Sequence, residues 1–379
     1  MGTNKLAVQQ KIAYIAILML TLFLAYSEFF KNLSIAIMLS YLTLQLVNNK
    51  LFLTKDMVNI SLTSYLFVVF LGAWFGINPN ESFSQSSDIV KIVIVFLFFR
   101  EVKLDFISLE TIVRFLLIGF VGAVSIAMVD YYIFGSDYLK LHSVGSINRS
   151  AVYIMYIFVL AIVLQTYFQS KLTKALLLFG VVFSIIALIA GGSRMAMFSI
   201  PVILGFYLLL QRKCGIREYL LLTVPIILII FIIFLYPDSR VSSRFDQGFN
   251  DPARIQIWMS SIYAWLEHNI FLGIGVGNSI FIDVKDYFEH PVTRNIDNTH
   301  QLYLDLLLEK GVFGFVAFFT FLYSLFVFDV SKERLMLIRL LILSLLLMGF
   351  TNITFRYEFA ILFVTIIGSL INTSIRKES

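Results

Sequence analysis

Charge is scarce in this chain. Asp, Glu, Lys and Arg make up 14% of its 379 residues, where soluble domains carry about a quarter. That shortage excludes an ordinary soluble globule, which needs more polar surface than this composition supplies. The only cysteine, Cys214, rules out intramolecular disulfides and cysteine-rich metal sites. The sequence has no GxxxxGK[ST] phosphate loop, no HExxH pair and no GxSxG elbow. Gly273-Ile274-Gly275-Val276-Gly277 follows no βαβ unit, so it reads as a turn that lets the backbone approach something closely. Asp283, Asp286 and Asp297 fit no EF-hand spacing, and no metal is expected there. Internal repeats are lacking. So is a pair of Gly/Pro-interrupted spans in corresponding halves, the sequence sign of an inverted-repeat transporter.

What is abundant is apolar. Hydrophobic residues are 59% and aromatics 16% of the chain, with a mean hydropathy of +0.88. A bilayer core takes about 20 apolar residues per helix. That ruler places about twelve spans, near 12–30, 32–48, 57–77, 88–100, 111–134, 150–168, 172–190, 194–211, 218–236, 311–329, 335–353 and 356–373. The expected class is all-α and polytopic, with the first apolar run retained because no small-residue cleavage site follows it. The organisation is nine spans over 1–236, a large loop over 237–310, then three spans and a tail over 311–379. The net charge of +5 lies mostly in short loops, where it sets topology and does not mark a nucleic-acid groove. Lys11, Lys55, Lys103, Lys171, Lys174, Arg212, Lys213 and Lys332 fall in one alternate set of loops; the other set holds few basic residues, among them Lys31, Lys140 and Arg356. The positive-inside bias puts both termini in the cytoplasm and the large loop outside.

Three polar segments on that outer side interrupt the apolar text. Gly191-Gly192-Ser193-Arg194-Met195 opens the eighth span. Its arginine is either an interfacial partner of lipid phosphate or a permanently charged, forked donor for a substrate phosphate. Asn250-Asp251-Pro252-Ala253-Arg254 reads as a helix start, with Asp251 as N-cap and Pro252 in the first turn. Arg254, Ile257, Trp258, Ser261, Ile262 and Trp265 then share one helical face, suited to lying in the membrane interface. Arg254 sits beside unpaired backbone N–H groups, an arrangement that favours an anion. The third segment, Asn298-Thr299-His300-Gln301-Leu302-Tyr303, leads into the tenth span. A lone histidine is more often a hydrogen-bonded structural group than a catalyst, yet its pKa range suits a general base for a hydroxyl. Asn148 and Arg149 begin the sixth span, where contact with sugar or diphosphate and a capping or topological role are equally open. Arg240 and Arg244 either attract an anionic lipid or meet headgroups.

Together these segments resemble the superfamily of O-antigen ligases and O-antigen polymerases, bacterial envelope glycosyltransferases. The resemblance rests on Gly-Gly-Ser-Arg194 opening a span, Arg254-x-x-x-Trp258 in the large loop, and Gly273-x-Gly275-x-Gly277. Its strongest part is His300 followed by Tyr303, Glu309, Gly311 and Gly314 at the family's spacing, with Gln301 replacing the usual asparagine. The motif-bearing part runs from Gly191 to Gly314.

The resemblance implies an all-helical, C-type glycosyltransferase-like fold in the bacterial inner membrane, with its large loop and active site facing the periplasm. It implies a glycan donor on undecaprenyl pyrophosphate, an acceptor that is either lipid A core or a growing glycan, and no cofactor. Catalysis would be inverting and metal-independent. His300 would act on the acceptor hydroxyl, and Arg194 and Arg254 would stabilise the diphosphate leaving group. Asn148, Arg149, Trp258, Tyr303 and Glu309 would contact substrate. Ligation of O-antigen to lipid A core is the leading expectation and repeat-unit polymerisation the runner-up. A polysaccharide flippase or permease would need charges buried mid-span, which are scarce apart from Asp130.

Overall fold

The computed structural model describes residues 2–49, 53–136, 139–211, 215, 223, 227, 252–289, 291, 296 and 298–375. Every regular element among them is helical: α1 (Gly2–Phe23), α2 (Glu28–Val47), α3 (Met57–Trp74), α4 (Pro79–Glu101), α5 (Leu109–Tyr132), α6 (Ile147–Leu164), α7 (Lys171–Gly191) and α8 (Arg194–Leu210) precede α9 (Pro252–Glu267), and α10 (Leu302–Phe326), α11 (Lys332–Gly349) and α12 (Tyr357–Ile371) follow it. Seven of these helices are long and apolar enough to cross a membrane, and three more are shorter apolar helices. The protein is an all-α, polytopic membrane protein. Each expected span overlaps a described helix except the ninth, 218–236, of which only 223 and 227 are described; Asp251, Arg240 and Arg244 lie outside the described residues.

Several boundaries differ from the hydropathy reading: the first span, set at 12–30, ends at Phe23 with α2 starting at Glu28, and two further differences bear on the site. The fourth span was expected to begin near 88, but α4 starts at Pro79. Asn78 caps it by accepting from the Glu81 N–H at 3.3 Å, and Pro79 occupies the first turn with its φ already helical. The polar run 80–88 therefore extends the helix past its apolar part. The same Asx/Ser chemistry starts α3, α5 and α6, capped by Asp56, Ser108 and Ser146. The second difference is in α10, whose Gly311 has φ 63° and ψ −172°, so the element is two helices meeting at a break. Residues 303 and 319 would stand about 24 Å apart along a straight helix at 1.5 Å per residue. Their rings instead stack with centroids 6.2 Å apart. The half before Gly311 folds back along the half after it.

Alternate loops gather at opposite ends of the bundle. At one end Asn372 donates to the carbonyls of Phe99 and Val102, and Arg334 to that of Leu370. At the other, Ser143 donates to Leu24, Ile77 N–H to Ile274, and Arg356 to Gln85. The centre is α6, buried at every residue from Ser150 to Leu164, with α12 beside it, buried from Glu358 to Ile371. A second, smaller core of Ile257, Ala264, Ile274, Ile282, Val284, Ile296 and Leu308 joins α9 and the loop to the first half of α10.

Candidate active site

The glycine-rich segment makes the close approach that its composition suggests, and its target is the break in α10. Ile274 N–H donates to the Leu308 carbonyl at 2.8 Å and Gly275 N–H to Glu309 at 3.1 Å; Val312 N–H returns to Ile270 at 2.9 Å and Phe313 N–H to Phe271 at 3.1 Å. These four bonds satisfy backbone groups that a broken helix exposes, a requirement inside a membrane protein. The contact leaves no room for side chains. A Cβ on Gly273 would lie 2.5 Å from the Glu309 carbonyl carbon, and one on Gly76 would lie 2.6 Å from the Ile274 oxygen. Gly311 and Gly273 both have positive φ, 63° and 73°, so glycine is required there on two counts.

This node carries a buried charge cluster. The Glu309 carboxylate accepts from Gly277 N–H at 2.8 Å and from Lys310 at 3.1 Å, and Arg356 stands 3.8 Å away. Lys310 also bonds Asp305 at 2.8 Å. The side chains of Asp305, Glu309 and Lys310 are at most 5% exposed. Two acids and two bases offset one another, which is how charge survives such burial. Burial opposes the charge of Arg356, but Glu309 outweighs it and raises the guanidinium's pKa. Hydropathy reading treated Lys310 and Arg356 as a span flank and a topology residue and so missed both. An acid–base pair opening a span was the available signal.

His300 stands where the loop enters α10. It is in the left-handed region, φ 51°, and its N–H donates to Asn298 Oδ1 at 2.9 Å. The preceding Thr299 carbonyl accepts the indole N–H of Trp258 at 3.0 Å. Leu302, two residues on, packs against Gly349 at the end of α11, where a glycine Cβ would lie 3.1 Å from it. At the preceding residue, Ser199 of α8 meets the Met348 sulfur at 3.6 Å. By this route α8, which Arg194 begins, reaches the neighbourhood of His300. Gly192 in the left-handed state (φ 64°) ends α7 and turns the chain into α8. Gly191 packs near Leu139 and Ile147, which brings the start of α6, with Asn148 and Arg149, to the same end. Arg254 lies in the first turn of α9, and α9 packs on α10. Arg194, Arg254, Arg149, Asn148 and His300 are all half-buried.

Three other expected substrate contacts have their polar atoms committed to the protein. The Trp258 indole holds Thr299, Tyr303 Oη donates to the Leu346 carbonyl at 2.8 Å, and Glu309 is enclosed as described. Tyr303→Phe therefore removes one internal bond and is expected to cost about 1 kcal/mol of stability with little change in turnover, read by melting and assay side by side. The face of α9 expected to meet lipid is turned to the protein: Ile257 and Ser261 are buried and Trp258, Ile262 and Trp265 half-buried. Ile255, Met259, Tyr263 and Leu266 form the exposed apolar face instead. In the loop beyond, burial raises the Tyr287 phenol to about 12, with Glu267 accepting its hydrogen bond at 3.0 Å. No group of three or more His, Cys, Asp or Glu among the described residues is placed to hold a metal.

The protein is thus a helical membrane protein whose break in α10 follows the segment that bears His300. Residues 179–319, from within α7 to within α10, match the family described as O-Antigen ligase. That matched segment spans just over a third of the chain. It contains Arg194, Arg254, His300, Gly273, Gly275, Gly277 and Gly311, but not Gly76 or Arg356. No curated protein matches the chain.

Proposed function

We propose that the protein transfers a glycan from undecaprenyl pyrophosphate to an acceptor hydroxyl at the outer face of the bacterial inner membrane, acting as an O-antigen ligase on lipid A core. The observation that supports this reading is the match of residues 179–319 to the O-antigen ligase family, a segment that contains Arg194, Arg254 and His300. His300 takes the proton of the acceptor hydroxyl as that oxygen attacks the anomeric carbon. The bond to the diphosphate breaks, and Arg194 and Arg254 stabilise the leaving charge, while Arg149 binds the donor's diphosphate equally before and during transfer. A single displacement inverts the anomeric centre. The charge lost is the diphosphate's, so fixed guanidinium groups suffice and no metal is invoked. Glu309 and Trp258 hold the node and the His300 turn in place.

Purified protein with a lipid-linked donor and a lipid A core acceptor tests the reaction. Arg194→Ala and Arg254→Ala are each expected to lower transfer by about 10²-fold, as for loss of a transition-state donor. Full transfer by both variants would remove them from the site. The acceptor is tested by deletion in cells. Accumulated long lipid-linked chains with uncapped core support the ligase; core bearing a single repeat unit makes the protein the polymerase instead.

A further inference from the structure

Tyr357 is a bulky residue in the left-handed region, φ 59°, a state that persists only where its surroundings enforce it. Two guanidinium groups flank its ring. Arg149 lies 4.0 Å from the ring centroid and Arg356 5.2 Å from it, both within cation–π range. Their situations differ. Arg356 is 11% exposed, donates to Gln85 Oε1 of α4 at 3.1 Å, and is neutralised by Glu309 of α10. Arg149 has no carboxylate partner among the described residues. Since Lys310 and Arg356 offset Asp305 and Glu309, Arg149 is the surplus positive charge of this group. It begins α6, whose N-terminal N–H groups add to the positive potential. A cation held over an aromatic ring beside a second cation is disposed toward an anion, and the ring fixes its direction.

We propose that Arg356 is a positioning residue: locked by Gln85 and Glu309, it sets the ring of Tyr357, which holds Arg149 toward the donor's diphosphate. This rests on the glycan-transfer reading above. Arg356 itself touches no substrate. The planar fork is essential to the role, because a lysine ammonium keeps the charge but cannot bond Gln85, face Glu309 and lie over the ring together.

The test uses full-length protein in detergent, titrated with inorganic pyrophosphate and assayed in parallel with lipid-linked donor. Arg149→Ala is expected to weaken pyrophosphate binding and raise donor KM by about tenfold, the size of one lost charged hydrogen bond, with kcat within about twofold. Arg356→Lys should show the same split. The double variant should be no worse than Arg149→Ala alone, because both remove one interaction. Gln85→Ala, which releases Arg356 without changing charge, should move KM in the same direction and serves if Arg356→Lys folds poorly. Losses that multiply in the double variant overturn the proposal, as does an Arg356→Lys or Gln85→Ala protein that loses kcat while binding pyrophosphate normally. Non-additive pyrophosphate binding in a protein that transfers no glycan keeps the positioning role and rejects the transfer reading.

Discussion

Replacing His300 with asparagine should remove most glycan transfer and leave the fold intact. The expected loss is about 10²–10⁴-fold, the range for removing a general base. Asparagine is the informative choice because of the backbone. His300 sits at φ 51°, a conformation that asparagine tolerates better than most residues and glycine best of all. Alanine there would add backbone strain to the lost imidazole, and the two effects would be confounded. With asparagine the 298–301 turn keeps its bonds, since Asn298 binds the N–H of residue 300 and Trp258 binds the Thr299 carbonyl. Folding is read by thermal melting in detergent and chemistry by transfer of lipid-linked glycan. An asparagine variant that melts normally and transfers at the parental rate removes His300 from the reaction. A variant that melts well below the parent would show the imidazole to be a structural group, the commoner role for a lone histidine.

Hydropathy alone located a helix at every expected span except the ninth, which the described residues do not test, because a span is a local property of about 20 residues. It placed the start of the tenth span near 311, where α10 breaks, since the segment 302–310 carries Asp305, Glu309 and Lys310. It misjudged α4, whose cap and proline at Asn78-Pro79 were visible but whose polar first turns hid them. The glycine spacing announced a close approach without naming its target, because Gly273 and Glu309 are brought together only by the tertiary fold. Glu309 illustrates the same limit. Its place in a motif suggested substrate contact, yet its carboxylate is occupied by Gly277, Lys310 and Arg356, and Arg356 lies 47 positions away in sequence. The amphipathic face of α9 was legible, but periodicity cannot say whether such a face meets lipid or protein, and the structure turns it to protein.

Gly311→Ala is expected to be the most damaging single-methyl substitution among the glycines of the node. Two costs add there. The backbone there (φ 63°, ψ −172°) lies in a region essentially reserved for glycine and costs an L side chain about 1–3 kcal/mol. The new Cβ would also overlap the Phe271 carbonyl and lie 2.5 Å from Leu272 N, both backbone atoms, so relief requires the loop 270–275 to move as a unit. That movement breaks the four backbone bonds stitching the loop to α10, each worth about 1 kcal/mol net and more when its partners are left buried and unpaired. It also draws Gly277 off Glu309, leaving the carboxylate with less compensation in a buried cluster. The expected result is a loss of several kcal/mol, seen as failure to accumulate folded protein or a much lower melting temperature. Gly122→Ala and Gly205→Ala are the controls: a Cβ at either meets nothing within 4 Å, and both sit in helices where alanine is preferred by about 1 kcal/mol. They should melt at or above the parental temperature. If Gly311→Ala melts with them, the break in α10 does not depend on the loop packed into it, and the glycine node is not what holds His300 in place.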